Sequence, residues 1–320
     1  MDSQWMYGAA LLGGAALWTL GRHRRGRGPG ARETQAERAL AQAGQLTELV
    51  AALQQHRGMS GAWLAGDASF GARLGERQAG IERLFAQVLE AAAAEDAEAF
   101  PCFISQDVLA LRFRWRELVQ ELAGLSAEES FRRHSRMVAT LLEWLSALGE
   151  ARIAPAGGAY EPQAVRRLLG QLPALAECLG QARALSSAVA ARGRCAPVAR
   201  VRLSFLVARA TQLVERSASG GQGEAARRAA TAFLTLLREQ VLGSPQVGTD
   251  AATCFRLGSV AVDAVYAWIA EERAGLAGGR LAHAFRGGRE AAPAGSKACR
   301  CGAAAYVRGR RMVSSSPHRR

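Results

Sequence analysis

The sequence predicts an all-α protein of about eight helices. Three observations support this. The 320 residues are 49% hydrophobic and only 6% aromatic, with 9 prolines, which favours a helical protein. Apolar residues recur at three- and four-residue spacing over residues 33–276. Stretches rich in Gly and Pro divide that region into pieces of helical length, and the clearest is 151–160. We therefore predict one helical domain, 33–276, made of two four-helix bundles with halves at about 33–150 and 161–276.

The first half should contain four helices. Breaks at Gly66-Asp67, at Pro101 and before Ser126 place them at about 33–64, 70–98, 102–122 and 127–148. Ser126 and Glu129 form the pattern of a capping box at the start of the fourth. In the third segment, apolar residues and arginines alternate over 109–115, as they would in a strand. The helical pattern on both sides favours a helix.

The second half should contain four more helices, at about 162–191, 197–216, 224–242 and 250–274. Pro162 is at a favourable first-turn position. Pro173, inside the fifth segment, should kink that helix or begin it again, because proline lacks the backbone N–H that a helix interior needs.

The two ends of the chain differ from this region. Residues 5–20 are apolar or small, with tryptophans near both ends, and the arginine-rich stretch 22–27 follows them. This order predicts a membrane anchor, 1–21, with the N-terminus outside and the rest of the chain in the cytoplasm. A signal peptide is the alternative, but it would need positive charge before the apolar run. We expect a basic linker at 22–32 and a disordered basic tail at 277–320.

Charge and motifs exclude several function classes. The formal net charge of +13 comes from the basic linker and the tail, whereas residues 33–279 have as many acidic residues as arginines. A neutral helical region argues against a nucleic-acid groove. The sequence has no phosphate-binding glycine loop, no zinc-protease motif and no hydrolase nucleophile motif. We therefore predict no enzyme activity and no cofactor or metal.

Two similar segments surround Arg57 and Arg183. Each arginine stands among apolar or small residues and is followed by a serine, Ser60 in the first segment and Ser186 in the second. A glycine beside Arg57 costs a helix interior about 1 kcal/mol relative to alanine, which suggests a close helix contact or a function. If both helices face the core, each guanidinium needs a partner, because a buried unpaired charge costs several kcal/mol. The partner is either an acid, such as Glu177 or Asp263, or a bound anion.

These segments resemble a known family. Residues 54–64, Gln-Gln-His-Arg-Gly-Met-Ser-Gly-Ala-Trp-Leu, are similar to the Gln-x-Glu-Arg-Gly-x-Ser motif of the NIT domain, a nitrate- and nitrite-sensing module of bacterial receptors and regulators. Residues 179–187 resemble the family's second arginine motif, and residues 255–263 resemble its last-helix motif. His56 stands where the family usually has Glu.

The resemblance implies a helical sensor that binds nitrate or nitrite between helices. Arg57 and Arg183 would hold the anion, Ser60 and Ser186 would supply hydroxyl groups, and Arg256 is a candidate third cation. We therefore expect a single-pass protein of the bacterial inner membrane whose ligand rearranges the helices, with output through a signalling partner or a homodimer. The alternative is a membrane-tethered helical scaffold without a small-molecule ligand, in which the arginines pair with acids.

Overall fold

A computed structural model describes residues 29–158, 160–217, 223–243 and 246–290, with side chains as far as Leu276 in the last helix. Within these ranges the regular structure is helical, as predicted, apart from one isolated bridge between Arg194 and Gln246. We number eight helices: α1 Pro29–Leu64, α2 Gly71–Asp96, α3 Ser105–Glu121, α4 Ala127–Leu148 with a π-turn Gly149–Ile153, α5 Pro162–Arg166 with a π-turn Arg167–Gln171 and Leu172–Ala191, α6 Pro197–Arg216, α7 Glu224–Leu236 with a π-turn Leu237–Leu242, and α8 Ala251–Glu290.

Helices α1–α4 form the first group of neighbouring helices. Helix α1 packs against α2 and α4, and α3 packs against α2 and α4. The alternating segment is helical: in α3 the buried residues are Val108, Leu111, Trp115 and Leu118, whereas Phe113 is exposed. This three- and four-residue spacing places one face of the helix in the core. The prediction of a helix there is confirmed.

Helices α5–α8 form a second group of neighbouring helices, and the buried apolar residues of both groups belong to one continuous cluster. Helix α5 lies against α6 and α8, and α7 packs against both α6 and α8. Pro173 follows the π-turn of α5 and occupies the first turn of the α-helical part Leu172–Ala191. Gln171 and Leu172 keep right-handed helical angles, so the chain passes from the π-turn into the α-helical part without a break. Of the two outcomes expected at Pro173, a kink or a new start of the helix, the new start is not observed, and a π-turn precedes the proline instead.

The two groups of helices meet where α5 packs against α1 and α4. The contact places the Arg57 segment of α1 opposite the Arg183 segment of α5.

Gly66 lies just after the end of α1. Its backbone has φ of 106°, in the left-handed region that favours glycine.

The first and the last described helices extend beyond the boundaries expected from the sequence. Helix α1 begins at Pro29, inside the expected linker, and α8 continues to Glu290, past the expected start of the tail at 277. Among the described helices, none is long and apolar enough to cross a membrane. The anchor predicted at 1–21 and the tail after residue 290 lie outside the described residues.

Candidate anion site between α1 and α5

Two arginine side chains cross between α1 and α5, each over a glycine of the other helix. A Cβ atom added at Gly58 would lie 3.5 Å from a terminal guanidinium nitrogen of Arg183. A Cβ atom added at Gly180 would lie 3.2 Å from a terminal nitrogen of Arg57. The glycines therefore let each guanidinium approach the opposite backbone, which accounts for a residue that otherwise weakens a helix.

Arg57 is buried and already holds a carboxylate. Its Nη1 lies 2.6 Å from Oε1 of Glu177, and its Nη2 lies 3.0 Å from Oε2. Nη1 also donates to the hydroxyl of Ser135 in α4, at 2.8 Å. The guanidinium carbon lies 5.1 Å from the centre of the Phe131 ring, within the range of a cation–π contact. One of the two acids suggested by the sequence is thus the partner of Arg57.

Glu177 accepts hydrogen bonds from two amide side chains as well. Gln54 donates to Oε2 at 2.9 Å, and Gln181 donates to Oε1 at 2.6 Å. The hydroxyl of Tyr266 in α8 donates to the amide oxygen of Gln54 at 2.8 Å, which fixes the orientation of that amide. The carboxylate consequently has two donors on each oxygen, the full complement that a buried charged group requires.

Arg183 has a different environment. Its Nη1 donates to the hydroxyl of Ser259 in α8 at 2.9 Å, and its guanidinium carbon lies 5.0 Å from the centre of the Phe255 ring. Within the described part of the chain, no ion pair joins Arg183 to a carboxylate. Burial, and after it the charge of Arg57, lowers the pKa of Arg183, while Asp263 acts in the opposite direction. Asp263 therefore favours the charged form from a distance without pairing.

Among the described residues, Arg183 lacks the paired negative charge that Arg57 has. Glu177 balances Arg57 directly, whereas Asp263 acts on Arg183 from a distance and the hydroxyl of Ser259 is neutral. A planar monoanion would supply the missing charge, because guanidinium donors match flat oxyanions through paired hydrogen bonds. Phe255, which lies against Arg183, is 49% exposed, and Arg183 itself is half-buried.

The other residues proposed from the sequence point elsewhere. The hydroxyl of Ser60 lies 3.1 Å from Nδ1 of His56, and the hydroxyl of Ser186 donates to the backbone oxygen of Arg183 at 3.2 Å. Arg256 is on the exposed face of α8. Neither serine hydroxyl is aimed at a guanidinium. Of the groups that contact the two arginines, Glu177 was a candidate acid in the sequence, whereas Ser135, Phe131, Ser259 and Phe255 were not assigned to the site.

Some of the residues around the two arginines carried a signal in the sequence. Gln54 and Gln181, which donate to Glu177, stand three and two positions before Arg57 and Arg183, so a glutamine precedes the arginine in both segments. Ser259 belongs to the third motif, but that motif does not indicate that the Ser259 hydroxyl contacts Arg183. Ser135 and Phe131 lie in α4, where the pattern shows only an amphipathic helix.

His56 belongs to a separate buried network in the core of α1–α4. Nδ1 of His134 donates to the backbone oxygen of Ser130 at 2.7 Å, so its Nε2 accepts from Nδ1 of His56 at 2.8 Å. Nε2 of His56 then accepts from the amide of Gln78 at 3.3 Å. Burial, followed by His134 and Arg77, lowers the pKa of His56 to about 3. Burial also lowers the pKa of His134 to about 4, with a smaller effect from Arg57, although the Ser130 carbonyl raises it.

Comparison with solved structures supports the fold. A structure titled "Structure of the NasR transcription antiterminator" superimposes with a TM-score of 0.56 over 87% of this chain and 77% of that chain. The two sequences are 19% identical, so the similarity concerns the fold alone. No curated protein sequence matches the chain.

A family model gives the assignment. The model described as "Nitrate and nitrite sensing" matches residues 48–268, a span that includes both arginines, Glu177 and Ser259. The match covers more than half of the chain and confirms the resemblance found in the motifs. The chain therefore belongs to the NIT family, the nitrate- and nitrite-sensing domains.

Proposed function

We propose that this protein is a non-catalytic sensor that binds nitrate or nitrite between α1 and α5 through Arg57 and Arg183. The observation that carries the proposal is the environment of Arg183. It is partly buried and close to Arg57, and among the described residues its hydrogen-bond partner is a hydroxyl group and not a carboxylate. Family membership supplies the class of anion. Bound between the two helices, the anion would change their relative position.

Electrostatics supports an anion at this position. Two guanidinium groups close to each other repel, and Glu177 compensates only one of them. A monoanion beside Arg183 would remove the excess charge and accept hydrogen bonds from a planar fork of donors. The Ser259 hydroxyl is a further donor or acceptor at the same place.

A bound anion can act as a signal only if it favours one arrangement of the helices. An anion that contacts α1 and α5 together stabilises the arrangement in which both arginines reach it. Because α5 also packs on α8, a shift of α5 would be transmitted to the second group of helices. We propose that a signalling partner or a second copy of the chain reads this shift.

Thermal unfolding with and without sodium nitrate tests the proposal. Ligand at 100 times its dissociation constant adds about 2.7 kcal/mol to the free energy of unfolding. We expect nitrate or nitrite to raise Tm relative to sodium chloride at equal ionic strength. Equal unfolding temperatures in nitrate, nitrite and chloride would refute the sensor proposal.

Two substitutions test the assigned residues. Arg183→Ala should abolish the shift and preserve the fold, because Arg183 forms no ion pair with any described residue. Arg57→Lys keeps the charge but loses the planar fork, so it should weaken binding strongly. Arg256→Ala, on the exposed face of α8, is the matched control and should keep the shift. Retained binding in both Arg183→Ala and Arg57→Lys would mean that other residues hold the anion.

A helical scaffold without a ligand is the second candidate, and the Arg57–Glu177 pair favours it. Such a pair is what the scaffold hypothesis expects of each arginine. Arg183 has no corresponding acid in the described residues, so the scaffold hypothesis explains only half of the site. The nitrate titration separates the two candidates.

We also propose, from the sequence alone, that residues 1–21 anchor the protein in the bacterial inner membrane with the sensor on the cytoplasmic side. The apolar run followed by arginines supports this orientation. A protein held by a spanning helix should stay with the membrane fraction after a wash at high salt. Release by that wash would refute the anchor and leave the nitrate site unaffected.

A further inference from the structure

The carboxylate of Glu177 occupies a complete binding site for a planar oxyanion. Arg57 contacts both carboxylate oxygens, and the amides of Gln54 and Gln181 donate one further hydrogen bond to each. The Glu177 side chain is only 8% exposed, so these donors face it rather than water. The same set of donors suits nitrate or a small carboxylate, because each of these anions presents its oxygen atoms in one plane.

The donors of Arg57 cannot serve Glu177 and a second anion in the same way. Both hydrogens of Nη1 are used, one by Glu177 and one by Ser135. One hydrogen of Nη2 is used by Glu177 and the Gly180 backbone lies close to that nitrogen. Glu177 thus occupies the edge of Arg57 formed by Nη1 and Nη2, while the edge formed by Nε and the second hydrogen of Nη2 is not used by it. An external anion that takes the Nη1–Nη2 edge, with the donors of Gln54 and Gln181, would have to take the place of the Glu177 carboxylate.

We propose that Glu177 is an internal competitor of the ligand, so that binding exchanges the Glu177 carboxylate for an external anion on Arg57. The identity of the anion rests on the proposed function, whereas the competition rests on the contacts of Glu177. The exchange is a replacement of hydrogen-bond and ion-pair partners, with no covalent change. Arg183, which has no carboxylate partner in the part of the chain that the structure describes, supplies the charge that makes the external anion the better occupant.

The competition sets the affinity of the sensor. When the binding-competent state is a minor population, the apparent dissociation constant rises in proportion to its rarity. The exchange also changes the contacts between helices, because Glu177 leaves Gln54, whose amide is bonded to Tyr266 of α8. Occupancy of one site is thereby coupled to the positions of α1, α5 and α8.

Glu177→Gln tests the competition by isothermal titration with sodium nitrate. The neutral amide keeps the shape but weakens the internal bond to Arg57, so nitrate should bind at least about tenfold more tightly than to the wild type. Glu272→Gln is the matched control. Glu272 forms another buried ion pair with two hydrogen bonds. Nε of Arg167 lies 2.9 Å from its Oε1, and Nη2 of Arg167 lies 2.9 Å from its Oε2. The control variant should lose stability and keep the wild-type affinity. Affinity that is unchanged or weaker in Glu177→Gln would overturn the competition.

Glu177→Ala provides an independent measurement, since it removes the carboxylate and leaves its donors. Sodium formate, acetate or nitrate should raise Tm of this variant more than that of the wild type, with chloride as the control. Rescue by formate or acetate without nitrate binding in any variant would support the internal carboxylate and refute nitrate as the ligand. Absence of rescue together with unchanged affinity in Glu177→Gln would overturn the inference even if the wild type binds nitrate.

Discussion

His56 and His134 form a neutral imidazole pair in the core of α1–α4. Each is fully buried, and each ring nitrogen has a partner consistent with one proton per ring. The family pattern has Glu at the position of His56, beside the arginine of the site. The structure places this side chain against His134 and Trp115, with a ring-centre distance of 4.7 Å to the latter, and so away from Glu177. The residue that departs from the family pattern, His56, is thus part of the core of α1–α4.

The histidine pair predicts a loss of stability in mild acid. The folded-state pKa values of about 3 and about 4 lie below the ordinary 6.5, so below pH 6.5 the unfolded chain binds more protons than the folded one. Stability is therefore full above about pH 7 and falls as the pH decreases towards the folded values, by roughly 2 kcal/mol for each imidazole at pH 5. Urea unfolding between pH 7 and pH 5 measures this slope.

The double variant His56→Gln/His134→Gln is the control for that measurement. It lacks both titrating groups and should show a much flatter dependence over the same interval. Carboxylates with lowered pKa, such as Glu82 beside Arg112 and Arg116, lose their contribution only at lower pH. The same slope in the double variant and the wild type would contradict the assignment to the histidines.

At the scale of the helices, a glycine sets the distance between α5 and α8 beside the candidate site. A Cβ atom at Gly258 would lie 2.7 Å from both Cβ and Cγ of Arg183 and 3.0 Å from Cζ of Phe233. Such distances require a shift of one helix, because Phe233 is fully buried and cannot move away. Gly258 therefore holds α8 close enough for Ser259 to reach Arg183.

Gly258→Ala should lower the free energy of unfolding by about 1–3 kcal/mol, the usual cost of overpacking, and should weaken anion binding by displacing Arg183. Gly275→Ala is the control on the same helix, since nothing lies within 4 Å of its added Cβ. That variant should be neutral or more stable by up to about 1 kcal/mol, because alanine favours a helix. Equal stabilities of the two variants would contradict the close contact between α5 and α8.

At the scale of the whole molecule, one polar network joins the two groups of helices. Glu177 of α5 is bonded to Gln54 and Arg57 of α1, Arg57 is bonded to Ser135 of α4, and Gln54 is bonded to Tyr266 of α8. Members of such a network depend on each other, because each one left without a partner would be a buried polar group. A change at Glu177 should therefore be felt in both groups.

Hydrogen–deuterium exchange with and without nitrate should show this coupling. We expect altered protection in α1 near residues 54–58, in α5 near residues 177–183 and in α8 near residues 255–266. Helices α2 and α3 contribute none of the network residues named above. They should change little and serve as the internal control. Changes confined to one group of helices would contradict the proposed transmission.

The sequence by itself determined the helical fold class and most helix boundaries. Those depend on local physics: the spacing of apolar residues, the Ser126 cap, which accepts a hydrogen bond from the backbone of Glu129 at 3.1 Å, and the positions of proline and glycine. The sequence also singled out Arg57 and Arg183, since a charge among apolar residues is visible in one dimension.

Only the tertiary structure decided how the two arginines differ. Arg57 pairs with Glu177, 120 residues away, and Arg183 bonds to Ser259, 76 residues away, while Ser60 and Ser186 point to other groups. Helical periodicity gives the buried face of each helix, but it does not say which residue of another helix lies opposite. That depends on the axial offset and crossing of packed helices, which the whole set of contacts fixes together.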